Sequence, residues 1–110
     1  MEKPVKGDVV VVPFPFSDLS ASKKRPALVI AVLMGNDTVL CQITSKAKFD
    51  SYSIALADTD FEKGRLNVPS RIRPNRLFTA DTSIILYKAG SLRQGKINEV
   101  EEALVRIIRS

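Results

Sequence analysis

The sequence predicts a small, mainly β protein in which a sheet that closes into a barrel is followed by one C-terminal amphipathic helix. Short apolar runs rich in β-branched residues, separated by Gly, Pro, Asn and Asp, occupy residues 8 to 86 and predict strands. The rest of the chain changes to a helical period. Its apolar stripe consists of Ile97, Val100, Leu104, Ile107 and Ile108.

The individual elements follow from these runs and from the breakers between them. Four consecutive valines between Gly7 and Pro13 predict a first strand that is buried on both faces. A long loop follows at residues 14 to 25. We predict further strands at residues 27 to 33, 38 to 43, 51 to 56 and 83 to 86, an exposed acidic turn at residues 58 to 64, and a helix at residues 92 to 109 with Ser91 and Gln94 as its capping box.

The second and third strands form a predicted hairpin, since the turn residues 34 to 37 join them. In a hairpin, the start of the first strand lies beside the end of the second. Arg25 precedes the first of these strands and Thr44 follows the second. We therefore expect Arg25 and Thr44 to lie close together in space.

Composition limits the classes of function. The 110 residues fit one domain, residues 1 to 110, and 17 Lys and Arg against 12 Asp and Glu give a net charge of +5, which favours a polyanionic partner. With no histidine and one cysteine, the sequence predicts neither a zinc site nor histidine acid-base chemistry. The single Cys41 forms no internal disulfide, and no leader or membrane-spanning stretch is seen, so we expect a cytoplasmic protein.

The residues whose side chains are best suited to bind or act on a substrate are Arg25, Thr44 and Ser45. The guanidinium of Arg25 is held in an extended segment by Pro26 and suits a phosphate or the charge that builds up in phosphoryl transfer. The hydroxyls of Thr44 and Ser45 offer hydrogen bonds to the same phosphate. The alternatives are a surface arginine in a basic loop and hydroxyls that cap a strand end.

A second basic group lies further along the chain, at Arg71, Arg73 and Arg76, with Phe78 beside it. Cationic and aromatic side chains together can pair phosphates and stack bases of an unwound strand, whereas the alternative is a charged, solvated strand. The candidate RNA-binding residues are Lys23, Lys24, Phe16, Lys46, Lys48, Arg71, Arg73 and Arg76.

Three segments and the final helix resemble the MazF/PemK toxins of type II toxin-antitoxin modules over nearly the whole chain. The segments are Gly7-Asp8-Val9-Val10, Arg25-Pro26-Ala27-Leu28-Val29-Ile30 and Ile43-Thr44-Ser45. The resemblance implies a small SH3-like β-barrel of the MazF, PemK and CcdB type with a flanking helix. It also implies a homodimer that acts as a metal-independent, cofactor-free endoribonuclease on single-stranded RNA at a short sequence.

Carried over residue by residue, Arg25 matches the catalytic arginine of that family, Thr44 its catalytic hydroxyl residue, and Ser45 the position after it. The implied reaction is attack of the RNA 2′-hydroxyl on the neighbouring phosphorus, which leaves a cyclic phosphate and a free 5′-hydroxyl. Members often carry a glycine and a glutamate in the first long loop, where this chain has Ser20-Ala21-Ser22. Asp18 is the nearest loop carboxylate and is our hypothesis for the general base.

The resemblance further implies an acidic, partly disordered antitoxin lying across the basic groove, and contacts with DNA through the toxin-antitoxin complex. Two other functions stay open on the sequence. One is a non-catalytic barrel that acts as a DNA-binding module or a gyrase poison, and the other is a decayed toxin that binds RNA with little turnover.

Overall fold

The computed structural model describes residues 3 to 14, 23 to 46 and 50 to 110, which form seven strands, two 3-10 turns and one helix. The 3-10 turns are Asp58–Asp60 and Thr82–Ile84. The strands are β1 (Asp8–Phe14), β2 (Lys23–Val32), β3 (Asp37–Thr44), β4 (Ile54–Leu56), β5 (Phe61–Gly64), β6 (Ser70–Asp81) and β7 (Tyr87–Leu92), and the helix is α1 (Gln94–Arg109).

All seven strands form one sheet in the order β4-β6-β3-β2-β1-β7-β5, and every neighbouring pair is antiparallel. Among the described residues the two edge strands, β4 and β5, do not pair with each other, so the sheet is a curled half-barrel. The predicted class, a mainly β barrel-like fold with a C-terminal amphipathic helix, is confirmed. No described segment is a helix long and apolar enough to cross a membrane.

The core lies on both faces of the sheet. On one face, Val9 of β1 and Leu28 of β2 pack with Val100 and Leu104 of α1. On the other face, Val10 and Val12 belong to a second apolar cluster with residues of β2 and β3. Because successive side chains of a strand point to opposite faces, the valine run serves both clusters, as predicted for a strand buried on both sides.

The helix begins later than predicted. Leu92 ends β7, and Arg93 is the N-cap without a side-chain cap bond, so the predicted capping box of Ser91 and Gln94 is wrong. Ser91 cannot cap the helix because it is a strand residue that lies opposite Asp8 of β1. Instead, Lys96 anchors the first turn by donating from Nζ to the Ala55 carbonyl at 3.1 Å.

Three strand assignments change where local hydrogen bonds or pairing override the sequence pattern. Residues 83 to 86 do not form a strand, since the Asp81 side chain accepts from the Ser83 amide at 2.9 Å and starts the 3-10 turn. Residues 51 to 53 form a turn, and only residues 54 to 56 are strand. Residues 62 to 64, predicted as an exposed turn, belong to β5 and pair with β7.

The loop predicted at residues 14 to 25 is shorter than expected at its end, because Lys23, Lys24 and Arg25 belong to β2 and pair with β1. Pro26 continues this strand opposite Val11. The ladder to β3 begins only at Ala27, so Pro26 sits where β2 is paired on one side and the missing amide hydrogen is tolerated.

Candidate functional site

A cleft of about 180 Å³ opens at the end of the β2-β3 hairpin that is opposite its turn. We call it the cationic cleft, because its described lining contains four Lys and Arg side chains and one carboxylate. The lining residues are Phe14, Arg25, Gln42, Thr44, Lys46, Asp50, Ser53, Arg71 and Arg73. The cleft therefore suits an anion with several oxygens, such as a phosphodiester.

Arg25 and Thr44 reach this cleft from adjacent strands. Arg25 lies opposite Val12 of β1, just before the β2-β3 ladder begins at Ala27 and Gln42. Thr44 is the last residue of β3. Within the described parts of the chain, Arg25 forms no ion pair, so no described carboxylate neutralises its charge.

The hydroxyl of Thr44 is oriented by the backbone that follows it. The amide of Lys46 donates to Thr44 Oγ1 at 3.1 Å. This bond uses an acceptor lone pair and leaves the hydroxyl hydrogen available for donation to a ligand. Ser45 is exposed and does not line the cationic cleft; it lines a neighbouring cleft instead.

Arg71 and Arg73 enter the cleft from β6, two residues apart and therefore on the same face of the strand. Arg71 donates from Nε to Ser53 Oγ at 2.7 Å and from Nη2 to the Ser53 carbonyl at 3.1 Å. Arg73 donates from Nε and Nη2 to Asp50 Oδ2 at 3.2 Å and 3.0 Å. The pKa of Asp50 is lowered, first by the hydrogen bond from the Tyr52 amide and then by Arg73.

A bulge in β6 separates Arg76 from these two arginines. Gln42 of β3 faces Arg73, but Cys41 faces Leu77, so residues 74 to 76 have no partner in β3. The Cys41 thiol donates to the Arg73 carbonyl at 2.9 Å, next to the bulge. Arg76 is exposed and is not among the residues that line the cationic cleft.

Of the remaining candidates, one group lies outside the cleft and the other lies outside the described residues. Lys23 and Lys24 are exposed at the start of β2 and do not line the cleft. Phe14 lines it and also packs against Phe78, with ring centroids 6.4 Å apart. The predicted residues Phe16, Asp18 and Lys48 lie outside the described residues.

The sequence reasoning missed Gln42, Asp50 and Ser53 as residues of the cleft, and it did not select Phe14. Gln42 had a usable signal, because it lies two positions before Thr44 in one strand and so shares its face. Asp50 and Ser53 had none, since their role depends on which β6 side chains reach them.

A second cleft, of about 590 Å³, adjoins the cationic cleft and shares Lys46 and Arg71 with it. We call it the adjoining cleft. Its floor includes the buried side chains of Leu56 and Phe61, and Val68 lies exposed on its wall. A cationic cleft that opens into an apolar one provides separate surfaces for a phosphate and for a flat, uncharged group.

Fold and site together define a small curled-sheet protein with a phosphate-sized cationic cleft at the end of a hairpin. The model of one family, the PemK-like, MazF-like toxins of type II toxin-antitoxin systems, matches residues 5–108. This chain belongs to that family. No curated protein matches the sequence significantly.

Solved structures share the fold. MazF from Deinococcus radiodurans superposes with a TM-score of 0.77 at 19% identity, with 100% of both chains covered. A MazE-MazF structure from the same organism gives 0.78 at 19% identity over 97% of each chain. An endoribonuclease from mycobacterial species gives 0.73 at 16% identity, over 98% of this chain and 93% of that one. At these identities the similarity shows the fold alone.

Proposed function

We propose that this toxin is an endoribonuclease that cleaves single-stranded RNA at a short sequence, without a metal ion, by transesterification from the 2′-hydroxyl. The observation that carries the proposal is the arrangement of Arg25, Thr44 and Arg71 around one phosphate-sized cleft. Neither arginine is paired with a carboxylate in the described parts of the chain, so both charges are available to a phosphodiester.

In the proposed reaction, the 2′-oxygen forms a bond to the adjacent phosphorus and the bond from phosphorus to the 5′-oxygen breaks. Negative charge builds on the nonbridging oxygens of the phosphorane. Arg25 and Arg71 stabilise this charge, and the Thr44 hydroxyl donates a hydrogen bond to one nonbridging oxygen. The products are a 2′,3′-cyclic phosphate and a free 5′-hydroxyl.

Two protons move in this reaction. The 2′-hydroxyl loses one to a general base, for which Asp18 stays the prediction from the sequence. The leaving 5′-oxygen gains one, and we assign that donation to Arg25, for which no ion pair is formed within the described residues. An arginine is a poor base because its guanidinium keeps its proton at neutral pH, but it can give that proton to the more basic alkoxide that leaves and then regain one from solvent.

The adjoining cleft supports a single-stranded substrate. A base can enter an apolar cleft of about 590 Å³ only when it is not paired within a duplex. Lys46 lines both clefts and Ser45 lines the adjoining one, so we assign them to the nucleotide next to the cleaved bond. Lys23, Lys24 and Arg76 lie outside both clefts and are proposed to contact RNA phosphates further along the strand.

The partners proposed for this chain follow its family and its charge. A mycobacterial endoribonuclease of the same fold has a solved structure in complex with its cognate antitoxin, and the Deinococcus radiodurans MazF has one with MazE. We assign to this chain an acidic antitoxin that covers the cationic cleft, a cytoplasmic homodimer, and DNA contacts made through the toxin-antitoxin complex. A net charge of +5 favours such an acidic partner.

The test is incubation of the purified protein with a long single-stranded RNA in EDTA, followed by mapping of the fragment ends. We expect discrete cuts that carry 2′,3′-cyclic phosphate and 5′-hydroxyl ends and that disappear in Arg25→Ala. Arg109→Ala is the matched control, because it removes one exposed arginine that lines neither cleft. Intact RNA that still binds the protein would instead support a non-catalytic binding module.

A further inference from the structure

The two β6 arginines of the cationic cleft differ in what holds them. Arg73 is paired with the Asp50 carboxylate, whereas within residues 3 to 14, 23 to 46 and 50 to 110 both acceptors of Arg71 belong to the neutral Ser53. Arg71 therefore keeps its full charge in the cleft. Two of its five N–H groups are used by Ser53, and the other three have no acceptor among the described residues.

These contacts form one continuous chain of hydrogen bonds. Arg73 donates to Asp50 Oδ2, and the Asp50 carbonyl accepts from Ser53 Oγ at 3.0 Å. Ser53 Oγ in turn accepts from Arg71 Nε at 2.7 Å. Because the Ser53 hydroxyl donates its hydrogen to Asp50, its lone pairs are directed toward Arg71. The turn at residues 50 to 53, which we call the Asp50 turn, thus connects the paired arginine to the unpaired one.

The Asp50 carboxylate is engaged on both oxygens. Oδ2 accepts twice from Arg73, and Oδ1 accepts from the Tyr52 amide at 2.9 Å. A general base needs a free lone pair and a pKa near the working pH, whereas these bonds lower the pKa of Asp50. Although Asp50 is the one carboxylate among the described lining residues of the cleft, its contacts fit a holding role better than proton transfer.

We propose that Asp50 and Ser53 are positioning residues for RNA cleavage: the Asp50-Arg73 ion pair fixes the Asp50 turn, and Ser53 then holds the Arg71 guanidinium where the phosphorane forms. The inference rests on the proposed function. It gives Arg73 an indirect role, since the Arg73 guanidinium donates to Asp50. It also identifies Arg71 as the second cation of the reaction beside Arg25.

The experiment is a set of double-mutant cycles on an RNA that contains one mapped cleavage site. Single-turnover rates are measured for wild type, Asp50→Asn, Ser53→Ala, Arg71→Ala and the double variants of each turn residue with Arg71→Ala. Binding is measured with the same RNA carrying a 2′-deoxy nucleotide at the cut, which cannot react. Ser51→Ala is the matched control, because Ser51 is an exposed serine of the same turn that does not line the cationic cleft.

We expect Asp50→Asn and Ser53→Ala each to lower the cleavage rate about tenfold with little change in affinity for the 2′-deoxy RNA, as for residues coupled in one network. In the Arg71→Ala background, the same two changes should have almost no further effect. Ser51→Ala should cleave like wild type. Thermal unfolding of each variant verifies folding, and if Asp50→Asn does not fold, the Ser53→Ala cycle carries the same test.

The outcomes separate the two proposals. If the losses from Asp50→Asn and Arg71→Ala multiply in the double variant, Asp50 acts directly on the reaction and the positioning role is overturned. Unchanged cleavage by both Asp50→Asn and Ser53→Ala also overturns it, while the proposed function stands. A wild-type protein that leaves RNA intact overturns both.

Discussion

Replacing Thr44 by valine is expected to lower the RNA cleavage rate by about 10² to 10³, the loss typical for removing one preorganised donor to a developing oxyanion. Valine keeps the shape and the β-branch of threonine, so the half-buried end of β3 loses no packing. Two hydrogen bonds change. The donation to the phosphorane is lost, and the Lys46 amide loses Oγ1 as its acceptor.

The second of these losses is small. Lys46 is exposed, so water can take the place of Oγ1 at its amide, and only a buried unsatisfied amide would carry the full penalty. Nearly all of the effect should therefore appear in the chemical step. The assay is single-turnover cleavage at saturating protein, with thermal unfolding as the measure of folding. Thr44→Ser keeps the hydroxyl and should remain within about tenfold of wild type.

Three results would refute this reasoning. Cleavage by Thr44→Val within a factor of about three of wild type would mean that the hydroxyl does not contact the transition state. An equal loss in Thr44→Val and Thr44→Ser would attribute the effect to the changed side-chain shape. A fall in RNA affinity without a change in the saturated rate would place the hydroxyl in ground-state binding.

The remaining predictions concern the salt dependence of RNA binding, the reactivity of a buried thiol and the pH dependence of stability. RNA affinity should fall with salt with a logarithmic slope of about −4 if Arg25, Lys46 and Arg71 of the cleft and the outer cations Lys23, Lys24 and Arg76 each contact one phosphate, and Arg71→Ala should make the slope shallower by about 0.7 in a binding titration. Burial raises the pKa of Cys41 to about 12, so a thiol reagent at neutral pH should label the native protein far more slowly than the urea-unfolded chain. The hydrogen bond from the Ser83 amide lowers the pKa of Asp81. The ionised Asp81 carboxylate therefore stabilises the fold above its unfolded pKa of about 3.9, and this stabilisation is lost as the pH falls through the folded pKa. The stability difference between wild type and Asp81→Asn in urea unfolding should therefore shrink from pH 7 to pH 3.

The elements that the sequence predicted well are those that depend on contiguous residues. The valine run, the hairpin turn and the helical stripe each contain their signal within a single segment, and β1, the β2-β3 hairpin and α1 are present in the structure. Part of the candidate site could be predicted from the same local patterns. A hairpin brings its two open ends together whatever surrounds it, so Arg25 and Thr44 could be placed on one cleft before any tertiary contact was known.

The elements that were missed depend on partners distant in sequence. Residues 62 to 64 are a strand only because β7 lies beside them, and Gly64 permits that approach: a Cβ there would lie 2.2 Å from the Ala89 carbonyl oxygen. The Asp50 turn likewise takes its role from arginines of β6. A local pattern of Asp, Ser and Tyr contains no information about which cation will reach it.

The basic group at Arg71, Arg73 and Arg76 shows why charge alone could not tell which of these arginines is best placed to stabilise negative charge in the reaction. Strand alternation places Arg71 and Arg73 on one face, and the three unpaired residues of the β6 bulge then interrupt the ladder, with Pro74 buried and Arg76 exposed. Three arginines that are equivalent in the sequence thus acquire three different settings: one paired with Asp50, one held by a neutral serine, and one in solvent. For a reaction that gains negative charge, the useful cation is the one that is held in place without being neutralised, and in β6 that is Arg71.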